Sequence, residues 1–181
     1  LAVLSAVAGQ PLKGSARAKA SLGGTLDRPD LAVSSTVDAL EVAGQAFRSV
    51  TLDAKSVGLP DSMNGTARLV ATQEQGEASL ATGFALAGDN LDLSDVQLVA
   101  PATKVTGSAA VNLASLLTSG RIEGRIDDLA ALRPWHGQQL AGRIGLRADL
   151  TTPQGRQDAT IQLDATDVAG DFGSLRSLDA R

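Results

Sequence analysis

Apolar and polar residues alternate along most of the chain with a period of two. In residues 12–22, every second residue is apolar or glycine, while Lys13, Arg17 and Lys19 fall between them. Such alternation is typical of a β-strand with one apolar face and one face in water. The same pattern predicts strands in eight further segments, at residues 33–37, 50–54, 65–71, 78–86, 105–113, 122–126, 142–150 and 159–165.

Short turn-forming sequences separate these segments, among them AGDN (87–90) and TTPQG (151–155). Asn64-Gly65 is also a typical hairpin signal, which predicts a turn at that dipeptide. In LDLSDVQLVA (91–100) the alternation shifts phase between Leu93 and Val96, which predicts a strand with a β-bulge. Connections this short favour consecutive strands that pair as antiparallel neighbours.

Helix-forming sequence is scarce. The segment DDLAALRP (127–134) predicts one short helical turn, capped by Asp128 and ended by Pro134. We therefore predict an all-β chain of about ten strands with one short helical turn.

Two parts of the chain match each other. Residues 1–22 align without gaps to residues 129–150, with nine of 22 positions identical. After a two-residue slip, residues 38–55 align to residues 164–181, with eight of 18 identical. We predict one repetitive β-structure over residues 1–181, an excerpt of a longer array, with repeat copies at about 1–55 and 129–181 and residues 56–128 between them.

The composition limits how thick an interior the chain can fill. Aromatic residues make up only 2% of it, so Ala, Leu, Val and Ile supply the apolar surface. Two structures fit this supply: an open, curled sheet with an apolar wall, or a closed sandwich or β-solenoid. The absence of cysteine excludes disulfides, and the acidic chain without basic clusters argues against nucleic-acid binding.

Trp135 and His136 are the single tryptophan and histidine of the chain, and adjacent unique residues of this kind often mark an active site. In the other repeat copy their places are taken by Val7 and Ala8. We interpret the pair as a seam between repeats, and predict no catalytic residues and no cofactor.

Metal binding is also not expected. DNLDLSD (89–95) brings three aspartates together but lacks the glycine and the final glutamate of a calcium loop, so we interpret them as water-facing carboxylates.

The alternation predicts a set of apolar side chains on one face of the sheet. We expect this face to line a groove that shields acyl chains, while Lys13, Arg17, Lys19, Arg143 and Arg147 face outward. The predicted lining residues are Val33, Val37, Val50, Leu52, Leu69, Leu80, Phe84, Leu98, Val105, Val111, Ile122, Ile144, Leu146, Ile161 and Leu163.

Four stretches together resemble the TamB-like (translocation and assembly module) family, within the AsmA-like group. They are GGTLDRPDL (23–31), LAGDNLDLSDVQLVAPATKVTGSAAV (86–111), LAALRPWHGQQLAGRIGL (129–146) and GRQDATIQLDATDVAGDFGSLRSLDA (155–180). Each stretch is weakly specific by itself, and their order and repetition carry the resemblance.

The resemblance implies an elongated periplasmic β-groove, or "β-taco", in a protein anchored to the inner membrane by a segment outside this sequence. It further implies a partner barrel of the Omp85 type, and roles in phospholipid transport and outer-membrane protein assembly. Other interpretations remain open: a scaffold that offers strand edges to unfolded barrel clients, or a passive β-solenoid stalk. We also expect that the excised fragment can dimerise through its end strands.

Overall fold

The chain is all-β, as its sequence predicts. A computed structural model describes residues 13–25, 28–42, 45–58, 62–74, 76–133, 139–170 and 173–180. Its strands are β1 (Lys13–Gly24), β2 (Pro29–Val42), β3 (Gln45–Val57), β4 (Ser62–Gln73), β5 (Gly76–Ala87), β6 (Asn90–Ala100), β7 (Thr103–Asn112), β8 (Thr118–Ile126), β9 (Ala141–Thr151), β10 (Asp158–Gly170) and β11 (Gly173–Ala180).

All eleven strands form a single sheet in which each strand pairs with the next one in sequence. Every pairing is antiparallel, as expected for strands joined by short turns. Among the described residues β1 and β11 lie at the two edges, so the sheet does not close into a barrel. The open sheet is therefore confirmed, and the sandwich alternative is wrong for this part of the chain because a sandwich needs two facing sheets.

The structure differs from the sequence prediction at several elements. The described residues form eleven strands rather than about ten, because β11 was missed: Leu175 and Leu178 lie three residues apart and break the alternation. Asn64-Gly65 lies inside β4 rather than at a turn, since Gly65 pairs with Phe84 and the β3–β4 connection comes before Ser62.

The predicted helical turn is present at Leu129–Leu132, and Asp128 caps it by accepting a hydrogen bond from the Ala130 amide at 2.9 Å. A second helical turn, at Pro153–Gly155, lies within the predicted turn sequence TTPQG, although its helical form was not predicted.

In the described part of the sheet, three strands carry β-bulges, and they are every fourth strand. The predicted bulge of β6 is confirmed, with the register shifting between Leu93 and Val96 and Asp95 at a φ of 50°. In β2 and β10, Ala39 and Asp167 each have a φ of 52° beside a register shift against the preceding strand. A bulge bends its strand and increases the local twist, so these positions curve the sheet.

The strands β1–β3 and β9–β11 repeat each other at a constant offset of 128 residues. Gly14 in β1 matches Gly142 in β9, and both have positive φ angles opposite the bulges at Ala39 and Asp167. The cross-strand registers of β1 with β2 and of β9 with β10 are the same at this offset. The structural equivalence thus differs by two residues from the sequence match of residues 38–55 with residues 164–181, and keeps the offset of the first match.

Few side chains of the sheet are buried. Among the described residues, the buried apolar side chains are Leu129 and Ala165, at 4% and 7% exposure. Leu129 lies in the helical turn that contacts β9. Most of the sheet is therefore stabilised by its backbone ladder and by cross-strand side-chain pairs rather than by a packed interior.

Candidate functional site

One face of the sheet collects most of the large apolar residues of strands β2 to β10. Residues that pair directly across antiparallel strands point to the same face, and alternate residues of a strand share it. Following the pairs from β2 to β10 places all fifteen predicted lining residues on this one surface, which we call the apolar face.

A row of large aliphatic side chains crosses the apolar face at right angles to the strands. Successive partners in register from β3 to β10 form this leucine row, which contains Leu52, Leu69, Leu80, Leu98, Val105, Gly124, Leu146 and Leu163. Strands lie roughly 4.8 Å apart, so seven spacings give the row a length of about 34 Å. Only Gly124 interrupts it, and the exposed Leu146 follows directly on β9.

The apolar face is open to its surroundings. Leu69, Leu80, Leu146 and Ile161 are 36%, 37%, 41% and 53% exposed, and the other predicted lining residues are half-buried by their neighbours in the sheet. No second sheet of described residues packs on this face. Large apolar side chains exposed over a contiguous area make this face the candidate binding surface of the described chain.

The opposite face carries the charged residues. Arg17, Lys19, Arg143 and Arg147 lie there, paired in register with polar residues such as Thr36 opposite Arg17. The side chain of the fifth predicted outward residue, Lys13, lies outside the described part of the structure.

Ion pairs link β8 and β9 on this polar face. Asp149 accepts hydrogen bonds from Arg121 on the neighbouring strand and, at 3.3 Å, from Arg147 on its own strand. Arg147 also lies 3.4 Å from a carboxylate oxygen of Glu123. The hydrogen bond from Arg121 holds the pKa of Asp149 below its ordinary value, with a smaller contribution from Arg147.

Shallow hollows lie on the polar face, and sequence reasoning missed them. One of them, about 690 Å³, lies over β1–β3 and is lined by Lys19, Ser34 and Asp53 among others. A second, about 580 Å³, lies over β7–β10, with Lys104, Arg125 and Arg147 beside Glu123 and Asp164. Their linings mix both charge signs on several strands, and only the pairing register brings these side chains together.

Within the described ranges, no three His, Cys, Asp or Glu side chains are close enough to hold a metal ion. The same part of the chain contains no helix of the length and hydropathy needed to cross a membrane. Trp135 and His136 fall outside the described residues, so their interpretation as a repeat seam stays a prediction.

Comparison with known proteins adds no relative. No family model, curated protein or solved structure matches this chain.

Proposed function

We propose that this chain is a non-enzymatic segment of a TamB-like envelope protein, and that its apolar face carries phospholipid acyl chains between the inner and outer membranes. The leucine row is the observation that supports this proposal best. It runs across eight strands on a face opposite which no second sheet lies among the described residues. An extended acyl chain needs a long, narrow apolar strip, and the row has that shape.

The energetics suit transport rather than permanent binding. Each CH₂ group fully removed from water contributes about 0.8 kcal/mol. An acyl chain lying on a single open sheet loses water on one side only, so each group contributes less than that. A moderate affinity at many equivalent positions lets a lipid move from one strand to the next.

Photo-crosslinking in cells tests the proposal. A photoreactive residue at Leu80 or Leu146 is expected to capture phospholipid, detected by mass spectrometry of the purified adduct. The matched controls are Gln97 and Thr160, which are exposed on the polar face. Equal lipid capture on both faces, or none at Leu80 and Leu146, would exclude the apolar face as the lipid path.

Lysine substitutions in the leucine row distinguish a role of the row in lipid transport from a role in folding. With the photoreactive residue placed at the other of the two positions, Leu80→Lys and Leu146→Lys are each expected to abolish lipid capture, while strand content stays unchanged by circular dichroism because both side chains are already partly in water. Phe84 is less suitable for this test, since its ring covers Gly65. Loss of fold together with lipid capture in both variants would mean that the row is structural.

The proposed setting rests on the resemblance described above. In this proposal the segment lies in the periplasm, works with an outer-membrane barrel of the Omp85 type, and supports outer-membrane protein assembly. Co-purification of the full-length protein with such a barrel, from cells crosslinked before lysis, tests the partnership.

A further inference from the structure

The outer edge of β1 is a long strand edge. Within the described residues, β1 pairs only with β2. Residues 14–24 are exposed along their whole length. An unpaired edge of this length presents a row of backbone amide and carbonyl groups that another strand can bind.

The internal repeat shows which strand belongs on this edge. At the offset of 128 residues, β1 corresponds to β9, and the two strands pair in the same register with β2 and β10. The other edge of β9 is occupied by β8. Among the described residues, the segment between β8 and β9 contains a helical turn at Leu129–Leu132 and no strand, so β8 is the occupant that the repeat assigns to this edge.

We propose that the outer edge of β1 binds, in antiparallel orientation, a strand of the β8 type from another unit of the same repeat. Such a strand alternates Gly and Ile on the apolar face with Arg and Glu on the polar face. The backbone register of the β8–β9 pair is thus repeated at β1, with Ser21 in the place of Asp149, and the proposal does not depend on lipid binding.

The register of β8 on β9 determines the contacts expected on β1. Ile122 pairs with Ala148, whose counterpart is Ala20, and Gly124 pairs with Leu146, whose counterpart is Ala18. On the polar face, Glu123 pairs with Arg147, whose counterpart is Lys19. The apolar faces therefore join continuously, and the opposite charges of Glu123 and Lys19 meet.

At one position of this register, two positive charges would face each other. Arg125 pairs with Gly145 in β9, and the counterpart of Gly145 is Arg17. Like charges directly opposite each other destabilise a strand pair. Removing the charge of Arg125 is therefore expected to strengthen binding to β1.

A synthetic peptide of residues 117–127 tests the proposal against the intact 181-residue chain. We expect saturable binding by fluorescence anisotropy, and hydrogen-exchange protection at alternate amides of residues 13–24. A peptide of the same composition with its alternation broken is the control. Equal binding of that control, or protection confined to β11, would overturn the proposal.

Exchanging the charges of Glu123 in the peptide and Lys19 in the chain tests the proposed register of the peptide on β1. The Glu123→Lys peptide is expected to bind about fivefold more weakly, since an opposite-charge cross-strand pair contributes up to about 1 kcal/mol. Lys19→Glu in the chain is expected to restore the affinity for that peptide, and the Arg125→Ser peptide is expected to bind more tightly than the unmodified one. If Lys19→Glu weakens every peptide alike, the proposed register is wrong.

Discussion

The ring of Phe84 covers Gly65, its direct partner across β4 and β5. A β-carbon on residue 65 would lie 2.6 Å from Cζ of Phe84 and would also collide with the backbone oxygen of Lys55. The glycine therefore allows an aromatic ring to lie flat on the apolar face. A ring placed over a strand glycine also covers backbone that the missing side chain leaves bare.

Gly65→Ala is expected to destabilise the sheet by about 1–3 kcal/mol, because overpacking against a backbone oxygen forces the strands to shift. Urea unfolding followed by circular dichroism measures this change. Gly23→Ala is the matched control, since a β-carbon there has no neighbour within 4 Å. We expect that control to stay within about 0.5 kcal/mol of the parent chain. Equal effects of the two variants would show that the Phe84 contact does not constrain residue 65.

Glycine substitutions at the two equivalent bulges should stabilise the chain to different degrees. Ala39 and Asp167 both have a φ of 52°, which costs a residue with a β-carbon about 1–2 kcal/mol. Aspartate tolerates this conformation better than alanine, so Ala39→Gly is expected to stabilise the chain more than Asp167→Gly. Thermal unfolding of both variants tests the order. A loss of stability in Ala39→Gly would indicate that the alanine side chain itself supports the bulge.

The lowered pKa of Asp149 should make the free energy of unfolding depend on pH in the acidic range. Its folded pKa lies below the ordinary carboxyl value of 3.8, because Arg121 donates a hydrogen bond to the carboxylate. A depressed folded pKa contributes stability that is present above the unfolded pKa and is lost as the pH falls through the folded pKa. The Arg121–Asp149 pair should therefore weaken below pH 3.8 and stay intact at neutral pH.

Asp149→Asn is expected to reduce the steepness of this acid-induced loss, measured as the urea midpoint between pH 2 and pH 7. Asp92→Asn, an exposed carboxylate on the same face, serves as the control. The same acid dependence in both variants would contradict the role of the Arg121 pair.

Truncation of Leu129 and of Leu146 should reduce stability by different amounts, although Leu146 lies in β9 and Leu129 in the helical turn that contacts β9. Leu129 is 4% exposed in the helical turn, so Leu129→Ala is expected to cost about 2–5 kcal/mol. Leu146 is 41% exposed on the apolar face, so Leu146→Ala should cost clearly less. Chemical denaturation of the two variants compares them. A larger loss at Leu146 would mean that a further layer covers the apolar face in solution.

Much of the fold follows from local patterns in the sequence. Strict alternation places Leu52 and Leu69 on one face and Arg17 and Lys19 on the other, since successive strand residues point to opposite sides. The break between Leu93 and Val96 likewise predicts a bulge, because an extra residue must change the phase. The helix cap at Asp128 is local as well, as its hydrogen bond reaches only two residues along the chain.

Tertiary structure decided what depends on pairing between strands. The leucine row exists because the registers of eight strands bring one residue from each strand into line, and no single segment contains that information. Gly65 lies in a strand rather than in the predicted turn because it pairs with Phe84 of the neighbouring strand. The openness of the apolar face was decided in the same way. Alternation makes one face apolar in a sandwich and in an open sheet alike, and only the sequential pairing of all eleven strands leaves that face uncovered.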